Sequence, residues 1–300
     1  MTSAQSALRL LRPQQWIKNL FLFAPLIFSK HLFEEGYFLL ELQAFAVFCL
    51  FSSTVYVLND IADREADKLH PVKRARPIAA GTISIPNALG VAAATCAAGI
   101  VLAVPLDPRF QATAGLYVVL NLAYSFRLKQ VMLVEVFVIA AGFMLRVLAG
   151  AFVLNVVVSD WLVLCTLFVS LFLALSKRRG EILLVHTSTG ESGRAVLKEY
   201  DVAFIDQMLT ITAAGMAISY ALYTVAERTV RIFQTENLIF TTVFVLFGIF
   251  RYLFLVRRNK TEDNPTLLLV RDVPMLVNIG LWFATCVVII YYNEVKTWLS

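Results

Sequence analysis

Long apolar runs are the feature that most restricts what this chain can fold into. Of its 300 residues, 59% are hydrophobic and only 16% are charged, whereas an ordinary soluble domain carries about 25% charged residues. The apolar residues gather into nine runs of roughly 17–25 residues, the length that an α-helix needs to cross a bilayer. Because backbone polar groups in lipid must be satisfied within the segment, each run predicts a helix.

The predicted fold is therefore all-α, a polytopic membrane protein with nine transmembrane helices. The helices are predicted near residues 17–33, 37–58, 83–104, 110–126, 131–154, 160–176, 203–225, 238–256 and 275–292. The remaining connections are too short for a separate soluble domain. We therefore expect residues 1–300 to form a single integral-membrane domain in contact with the lipid bilayer.

Basic residues are distributed unevenly between the two sides of the predicted bundle. If the chain begins inside and crosses at every span, 19 of the 26 lysines and arginines lie inside, 5 lie outside and 2 lie within spans. Connections rich in Lys and Arg stay on the cytoplasmic side of a membrane. We therefore predict a multi-pass protein of the inner (plasma) membrane, in which the long connection after the second span faces the cytoplasm.

An acidic stripe follows the second predicted span, in the sequence NDIADREADKLHPVKRARPIAAG of residues 59–81. Asp60, Asp63 and Asp67 are three and four residues apart, which places them on one face if the helix continues past the span. Like charges at this spacing destabilise a helix, so a cation is expected among them. Mg²⁺ prefers hard oxygen ligands and completes its shell with water and substrate phosphates. We therefore predict that the three aspartates hold Mg²⁺, with Asn59 beside them.

Basic residues follow the acidic stripe directly. Lys73 and Arg76 stand in the segment HPVKRARPIAAG, where Pro71 and Pro77 should end the helix. An arginine can bind a phosphate through a bidentate fork, and a lysine can bind it as a point charge. Ordinary anchoring at the cytoplasmic surface would also place cations here. Their position directly after the aspartates favours phosphate binding.

A second basic cluster, formed by Lys177, Arg178 and Arg179, closes the sixth predicted span. Cations at the end of a span can be a snorkelling anchor for the helix. Anchoring alone does not explain why Gly180 and Glu181 interrupt the run. We therefore predict that the second basic cluster serves a polyanionic substrate.

Ionisable residues inside or beside other spans complete the candidate set. Glu135 and Arg146 lie eleven residues apart in the fifth span, on nearly the same helix face. Such groups usually face the bundle interior, so they either contact substrate or form buried pairs with another span. Arg127 and Lys129 precede the same span. Lys18 lies one turn into the first apolar run and is expected to bind a lipid phosphate.

The motif of Asn59, Asp60, Asp63 and Asp67 resembles the first aspartate-rich motif of the UbiA superfamily of intramembrane prenyltransferases. The resemblance extends over most of the chain, from Arg12 to the last span. It implies nine transmembrane helices around a central cavity. It also implies aspartate-rich motifs at the cytoplasmic side that bind Mg²⁺ and a diphosphate.

The sixth span departs from the common pattern of that family. Most members carry a second acidic motif there, roughly D-x-x-x-D, whereas this chain has the basic sequence SKRRGEI at 176–182. With the opening motif R-P-x-Q-W-x-K-N, this segment is similar to the branch that transfers phosphoribose to a polyprenyl phosphate. The resemblance implies 5-phosphoribosyl 1-diphosphate as the donor and a polyprenyl phosphate of the decaprenyl type as the acceptor.

The predicted function is therefore Mg²⁺-dependent transfer of 5-phosphoribose with release of diphosphate. Asp60, Asp63 and Lys73 are the predicted catalytic residues. The acceptor phosphate is already an anionic nucleophile, so no general base is required. The predicted substrate-binding residues are Lys18, Asn59, Asp67, Arg76, Arg127, Lys129, Glu135, Arg146, Lys177, Arg178 and Arg179.

Two other functions stay open on the residues alone. A conventional prenyltransferase would join a polyprenyl diphosphate to an aromatic or lipid acceptor. It would need a second acidic cluster, for which Glu135, Glu181 and Asp201 are scattered candidates. A membrane transporter would line its pathway with Arg146 and Arg251, although the paired broken helices of transporters are not apparent. No nucleic-acid partner is expected, and self-association into a homo-oligomer is left open.

Overall fold

The computed structural model describes residues 3–29, 31, 34, 36–69, 72–187, 199–258 and 271–291. Within these ranges the chain is helical and contains no β-strand, which confirms the predicted all-α class. A 3-10 helix, Pro13–Phe23, follows the first α-helix. The α-helices are α1 (Ser3–Leu11), α2 (Ala24–Phe28), α3 (Tyr37–Ala62), α4 (Arg64–Leu69), α5 (Ile85–Ala103), α6 (Pro108–Phe126), α7 (Val134–Val153), α8 (Asp160–Thr187), α9 (Val202–Val225), α10 (Glu227–Phe233), α11 (Thr242–Arg258) and α12 (Val273–Ile290).

The chain divides into two compact units, Met1–Val158 and Ser159–Ser300. The first unit holds α1 to α7, and the second holds α8 to α12. Each unit has buried side chains of its own. The single domain over residues 1–300 and the central cavity stay predictions.

Seven helices in the described part of the chain are long and apolar enough to cross a membrane: α3, α5, α7, α8, α9, α11 with the 3-10 turn before it, and α12. The chain is therefore a polytopic membrane protein, as predicted, but the count of nine spans is not confirmed. The predicted span 110–126 forms α6, which has 19 residues. Its polar residues Gln111, Thr113, Asn121 and Ser125 make it less apolar than the seven.

The prediction of one transmembrane helix over residues 17–33 is wrong. The segment Pro13–Phe23 is a 3-10 helix, and α2 continues it for only five residues. Pro25 lies in the first turn of α2, and its missing N–H interrupts the hydrogen bonds that a continuous helix needs. Arg12 has a left-handed backbone, with φ 53° and ψ 58°, and it turns the chain out of α1. Apolar length in a sequence does not reveal such interruptions.

The helix α3 is central to the first unit. Its buried residues pack with the 3-10 helix, α2, α6 and α7 in one hydrophobic cluster. In a second cluster, Val57 of α3 packs with Leu10 of α1, Ile78 and Ala88. Because α3 contacts so many elements of the unit, groups at either end of it are held in a defined position.

The helix α8 extends further than the predicted span 160–176. It continues to Thr187, so the second basic cluster, which lies beyond the predicted span, is part of the same helix. Glu181 pairs with Arg178 one turn earlier, and its Oε1 lies 3.9 Å from Nζ of Lys177. Opposite charges at these spacings stabilise a helix. These pairs therefore explain why α8 continues through the polar residues 177–181.

Hydrogen bonds between side chains join the helices of the second unit. The hydroxyls of Ser176 in α8 and Tyr252 in α11 lie 2.9 Å apart. The hydroxyl of Tyr220 in α9 accepts from Nε1 of Trp282 in α12 at 2.9 Å and lies 2.7 Å from Oγ1 of Thr241. A polar group buried without a partner would be costly. These bonds therefore fix which faces of the helices meet.

The helix α7 approaches the 3-10 helix and α3 closely at Gly150. A Cβ added to Gly150 would lie 2.1 Å from the carbonyl oxygen of Leu22 and 2.7 Å from Oε1 of Glu41. Leu22 and Glu41 are both fully buried. The first of these atoms is backbone and cannot rotate away. Three elements of the first unit can therefore meet here only because position 150 has no side chain.

Replacing Gly150 with alanine should destabilise the protein, because the new methyl group must displace the backbone of the 3-10 helix. Overpacking of this kind costs about 1–3 kcal/mol, and the thermal unfolding midpoint in detergent should fall. Gly90→Ala in α5 is the matched control, because an added Cβ there meets no atom within 4 Å. An unchanged midpoint for Gly150→Ala would contradict the close approach.

Candidate functional site

The acidic stripe lies where α3 ends. Asp63 directly follows α3 and departs from helical geometry, with φ −91° and ψ 5°, and α4 begins at the next residue. Backbone hydrogen bonds nonetheless continue, from Asp63 N to Asn59 O at 2.9 Å and from Asp67 N to Asp63 O at 2.8 Å. The helix predicted to run through the stripe is thus interrupted at one residue. This turn gives Asp63 a different partner from Asp60 and Asp67.

Asp60 and Asp67 share a guanidinium group. Nη1 of Arg76 lies 3.1 Å from Oδ1 of Asp60 and 2.6 Å from Oδ2 of Asp67. Arg12 also pairs with Oδ1 of Asp60. The two aspartates are only 2% and 4% exposed, so loss of their partners would leave uncompensated buried charge. The cation expected among the aspartates is therefore, in this structure, an arginine.

Asp63 binds a different cation. Its Oδ1 accepts from Nζ of Lys129 at 2.6 Å, and its Oδ2 accepts from Nδ2 of Asn59 at 3.1 Å. Lys129 lies in the 3-10 turn Leu128–Gln130, between α6 and α7. This pair therefore brings that connection to the end of α3. Two predicted substrate-binding residues, Asn59 and Lys129, thus join a predicted catalytic residue.

Arg12 also pairs with the acidic stripe, through Asp60, although it was not among the predicted site residues. Its guanidinium lies 5.2 Å from the ring centroid of Tyr56. Close by in sequence, Nε1 of Trp16 donates to Oγ of Ser53 at 3.0 Å, which fastens this segment to α3. Burial lowers the pKa of the Arg12 guanidinium, and the charge of Asp60 opposes that shift. Its one signal in the sequence was its place at the head of R-P-x-Q-W-x-K-N.

A compact turn positions Arg76. The 3-10 turn Lys73–Ala75 precedes it, and Arg76 N donates to Lys73 O at 2.9 Å. The carbonyl of Pro77 then accepts from Thr82 N at 3.0 Å. Gly81 closes the turn with φ 74°, a conformation that favours glycine. Lys73, a predicted catalytic residue, therefore lies in the same turn as Arg76, whereas His70 and Pro71 lie outside the described residues.

The carboxylates of this cluster suit a divalent metal ion in their chemistry. Among the residues that the structure describes, no three acidic, histidine or cysteine side chains converge on one metal position. The predicted set of three aspartate ligands is thus not brought together. Asp60 and Asp67 do face a common point, which Nη1 of Arg76 occupies. Because Mg²⁺ needs few carboxylates when phosphates and water complete its shell, the donors of Asp60 and Asp67 fit the ion.

A second polar group surrounds Arg146 of α7. Its guanidinium donates to Oδ1 of Asn19 at 2.8 Å, to the carbonyl of Gly142 at 2.7 Å and to the hydroxyl of Tyr117 at 2.8 Å. Nδ2 of Asn19 in turn donates to Oγ of Ser52 in α3 at 3.4 Å. Arg146 therefore joins α7 to the 3-10 helix and to α6 through neutral partners. Contact of Arg146 with substrate stays a prediction.

The other predicted residues of the first unit differ in exposure. Glu135 is fully buried in the first turn of α7. Lys18 is partly buried in the 3-10 helix, where the charges of Arg146 and Arg12 act on it. Arg127 is exposed at the end of α6. Substrate binding by Glu135, Lys18 and Arg127 stays a prediction.

The second basic cluster is engaged with acidic residues of the second unit. Arg178 is fully buried and pairs with Glu181. Arg179 donates through Nε to Oδ1 of Asp206 at 2.7 Å and through Nη1 to the carbonyl of Val256 at 3.0 Å. These contacts tie α8 to α9 and α11. Binding of substrate by this cluster, together with the aspartates of the first unit, stays a prediction.

Comparison with protein families and curated proteins gives consistent matches. The model of the UbiA prenyltransferase family matches residues 22–271. Decaprenyl-phosphate phosphoribosyltransferase of Corynebacterium glutamicum is 38% identical over 224 residues, which cover 73% of this chain and 67% of that protein. The protein of the same name from Mycolicibacterium smegmatis is 35% identical over 220 residues, covering 72% and 69%. The matched region includes the acidic stripe.

Solved structures show the same fold. A UbiA homolog from Archaeoglobus fulgidus, bound to GPP and Mg²⁺, superposes with a TM-score of 0.71 at 20% identity, over 95% of this chain and 99% of that one. The same homolog bound to DMAPP and Mg²⁺ gives a TM-score of 0.70 at the same identity. At this level of identity the likeness concerns the fold alone.

Replacing Arg76 with glutamine should strengthen the binding of Mn²⁺, a spectroscopic substitute for Mg²⁺, in the absence of substrates. The guanidinium stands between Asp60 and Asp67 and competes with a metal ion for them. We expect a gain of about tenfold, equivalent to roughly 1.4 kcal/mol, measured by electron paramagnetic resonance of free Mn²⁺. Arg74→Gln, an exposed neighbour in the same turn, is the matched control and should change nothing. Equal affinities in Arg76→Gln and the unaltered protein would exclude this competition.

Proposed function

Because this chain belongs to the UbiA prenyltransferase family, we propose that it is a Mg²⁺-dependent transferase of 5-phosphoribose. The donor is 5-phosphoribosyl 1-diphosphate, the acceptor is a polyprenyl phosphate of the decaprenyl type, and diphosphate is released. The names of the two curated relatives support this pair of substrates. The observation that carries the proposal is the surplus of cations around one short acidic motif in the first unit.

That surplus matches the charge of the two substrates. Arg12, Arg76 and Lys129 contact the three aspartates directly, and Lys18 and Arg146 add two further positive charges. The donor carries a diphosphate at C1 and a phosphate at C5, and the acceptor carries a phosphate. A prenyl diphosphate with a neutral aromatic ring would bring much less negative charge. Preorganised cations are most effective where such charge must be held and where it develops during reaction.

The two substrates supply the reacting groups themselves. An oxygen of the lipid phosphate forms a bond to C1 of the ribose, the bond from C1 to the diphosphate oxygen breaks, and the diphosphate leaves with the electron pair. The ribose C1 develops oxocarbenium character on the way. Because the nucleophile is already an anion, no side chain has to remove a proton. The protein has to hold both groups in line and to stabilise the leaving charge.

The residues at the end of α3 are suited to the leaving group. Asp60 and Asp67 would hold Mg²⁺, which when bound neutralises charge on the departing diphosphate. Nη1 of Arg76 contacts both carboxylates, and a guanidinium can bind phosphate oxygens through its fork. Lys73 in the adjacent turn and Lys129 on Asp63 are placed to add further positive charge. Arg12 adds another positive charge, because it pairs with the same oxygen of Asp60 as Arg76 does.

The pairing of acidic residues in the second unit argues against conventional prenyl transfer. That reaction would call for a second acidic motif near the end of α8. Among the described residues, Glu181 and Asp206 contact that part of α8, and each is paired with an arginine of the second basic cluster. They are therefore neutralised within the unit. We assign the second basic cluster to phosphate groups of donor or acceptor.

We place the site at the cytoplasmic face of the inner membrane. The chain is a membrane protein with several apolar helices, and the segment 59–81 that carries the acidic stripe also holds five lysines and arginines. Such connections stay in the cytoplasm. Phosphorylated sugars are available there, while the lipid substrate arrives within the bilayer.

The purified protein should transfer label from 5-phosphoribosyl 1-diphosphate to a polyprenyl phosphate when Mg²⁺ is present. The product is detected as lipid-extractable label, and omission of Mg²⁺ should reduce it to background because the diphosphate charge is then uncompensated. Labelled prenyl diphosphate offered with the same acceptor is the control donor and should give no product. If label were transferred from the prenyl diphosphate and not from 5-phosphoribosyl 1-diphosphate, the protein would be a conventional prenyltransferase and this proposal would be wrong.

Replacing Asp60 with asparagine should lower kcat by a factor of roughly 10²–10³, the range seen when one preorganised charge-stabilising group is lost. The side chain keeps its shape but loses the charge that compensates Arg12 and Arg76. Size-exclusion chromatography checks that the variant is folded. Asp160→Asn, at the exposed start of α8, is the control and should keep full activity. A folded Asp60→Asn variant with normal turnover would exclude the assignment.

A further inference from the structure

One hydroxyl of α3 holds the chain on both sides of Arg12. Oγ of Ser53 accepts from Nε1 of Trp16 at 3.0 Å and donates to the carbonyl of Leu11 at 2.8 Å. Ser53 is buried, with only 1% of its surface exposed. A serine hydroxyl has a single hydrogen to donate, and the residue directly before Arg12 receives it. The segment 11–16 is therefore attached to α3 at both of its ends by one side chain.

Arg12 needs such support because of its backbone. It has φ 53° and ψ 58°, in the left-handed region, which residues other than glycine seldom adopt. A conformation of this kind persists only where the surrounding structure determines it. The carbonyl of Arg12 accepts from the backbone N of Gln15 at 2.9 Å, but this local bond does not fasten the turn to α3. The two bonds of Ser53 supply that attachment.

The side chain of Arg12 runs along the same face of α3 towards Asp60. Tyr56 and Asp60 lie three and seven residues after Ser53, which places all three on one face of the helix. Seven residues span roughly 10 Å along a helix. The guanidinium of Arg12 lies 5.2 Å from the ring centroid of Tyr56 and pairs with Oδ1 of Asp60. The backbone of Arg12 is thus held at Ser53, and its charge is delivered about two turns further along α3.

A second cation competes with Arg12 for Asp60. Nη1 of Arg76 lies 3.1 Å from the same Oδ1, so two guanidinium groups approach one oxygen and repel each other. Asp60 would stay paired through Arg76 if Arg12 moved away. The side chain of Arg12 is 16% exposed, so solvent is within its reach. The position of Arg12 beside Asp60 therefore depends on the attachment of its backbone.

We propose that Ser53 is a positioning residue, which holds Arg12 beside Asp60 through its bonds to the chain on either side. The inference rests on the proposed function, in which Arg12 supplies one of the positive charges around the leaving diphosphate. A charge stabilises the reaction best when it is already in place, because no reorganisation is then needed as charge develops. Trp16 of the opening motif R-P-x-Q-W-x-K-N shares this task, since its indole N–H completes the attachment four residues after Arg12.

The test compares steady-state transfer by Ser53→Ala and by Trp16→Phe with that of the unaltered protein in detergent. Each substitution removes one partner of the attachment but leaves the charge of Arg12 in the chain. We expect kcat to fall about tenfold in both variants, because that charge is then spread over several positions. KM for both substrates should stay within about twofold. A residue that served stability alone would lower the thermal unfolding midpoint but not kcat per folded molecule.

Thr54→Val is the matched control. Oγ1 of Thr54 lies 2.8 Å from Oγ1 of Thr95 in α5, so this variant also loses a hydroxyl bond between helices, but away from Arg12, and it should keep normal kcat. Ser53→Ala added to Arg12→Gln should cause no further loss of kcat, as expected for two residues that act through one contact. A full tenfold loss in that background, or a folded Ser53→Ala variant with normal kcat, would overturn the positioning role.

Binding of Mn²⁺ in the absence of substrates separates this inference from the proposed function. Arg12 occupies Oδ1 of Asp60, so its release in Ser53→Ala should raise the affinity for Mn²⁺ about threefold or more. Electron paramagnetic resonance measures the free ion, and Thr54→Val should show no gain. A protein that shows the gain but transfers no phosphoribose would support the positioning role and refute the proposed function. Unchanged Mn²⁺ affinity in Ser53→Ala would contradict the role of Ser53.

Discussion

The pairing of Asp60 with two arginines at the buried end of α3 is the interaction on which the first unit depends. A carboxylate at this depth is tolerated only when cations compensate it. One of the two, Arg12, comes from the N-terminal segment, and the other, Arg76, comes from the turn after α4. Since Arg76 also holds Asp67, one charge network gathers three separate stretches of chain around a single helix end. The position of each stretch follows because its charged side chain has to pair with the opposite charges of the other stretches.

The helix α3 also connects this charge network to the hydrogen-bonded group around Arg146. Along α3, Asp60 belongs to the acidic stripe, while Ser52 contacts the amide of Asn19 that holds Arg146. The helix α3 thus sets the distance between the acidic stripe and the hydrogen-bonded group around Arg146. Close packing at Gly150 keeps the 3-10 helix, which carries Lys18, against α3 and α7.

Much of the charge network at the end of α3 could be predicted, because most of its members lie close together in sequence. Asn59, Asp60, Asp67 and Arg76 fall within one short segment, and opposite charges in one segment tend to meet. Arg12 could not be predicted in the same way, since it pairs with a residue 48 positions away. Its placement needs a left-handed backbone and the packing of the 3-10 helix on α3, neither of which leaves a periodic pattern. The interruption of the helix at Asp63, which lets Asp63 pair with Lys129, could also not be predicted from the spacing of the aspartates.

The sequence by itself determined that the chain is helical, crosses a membrane and carries an acidic motif beside basic residues. Hydrophobic length and local charge are properties of neighbouring residues, so they can be read without a fold. Only the tertiary structure decided which cation compensates which carboxylate, and that neutral groups of the 3-10 helix, α6 and α7 hold Arg146. It also decided that the second basic cluster extends a helix and is paired with Glu181 and Asp206. Charge compensation acts over a few ångströms in space, and distances in space between remote residues exist only once the helices have packed.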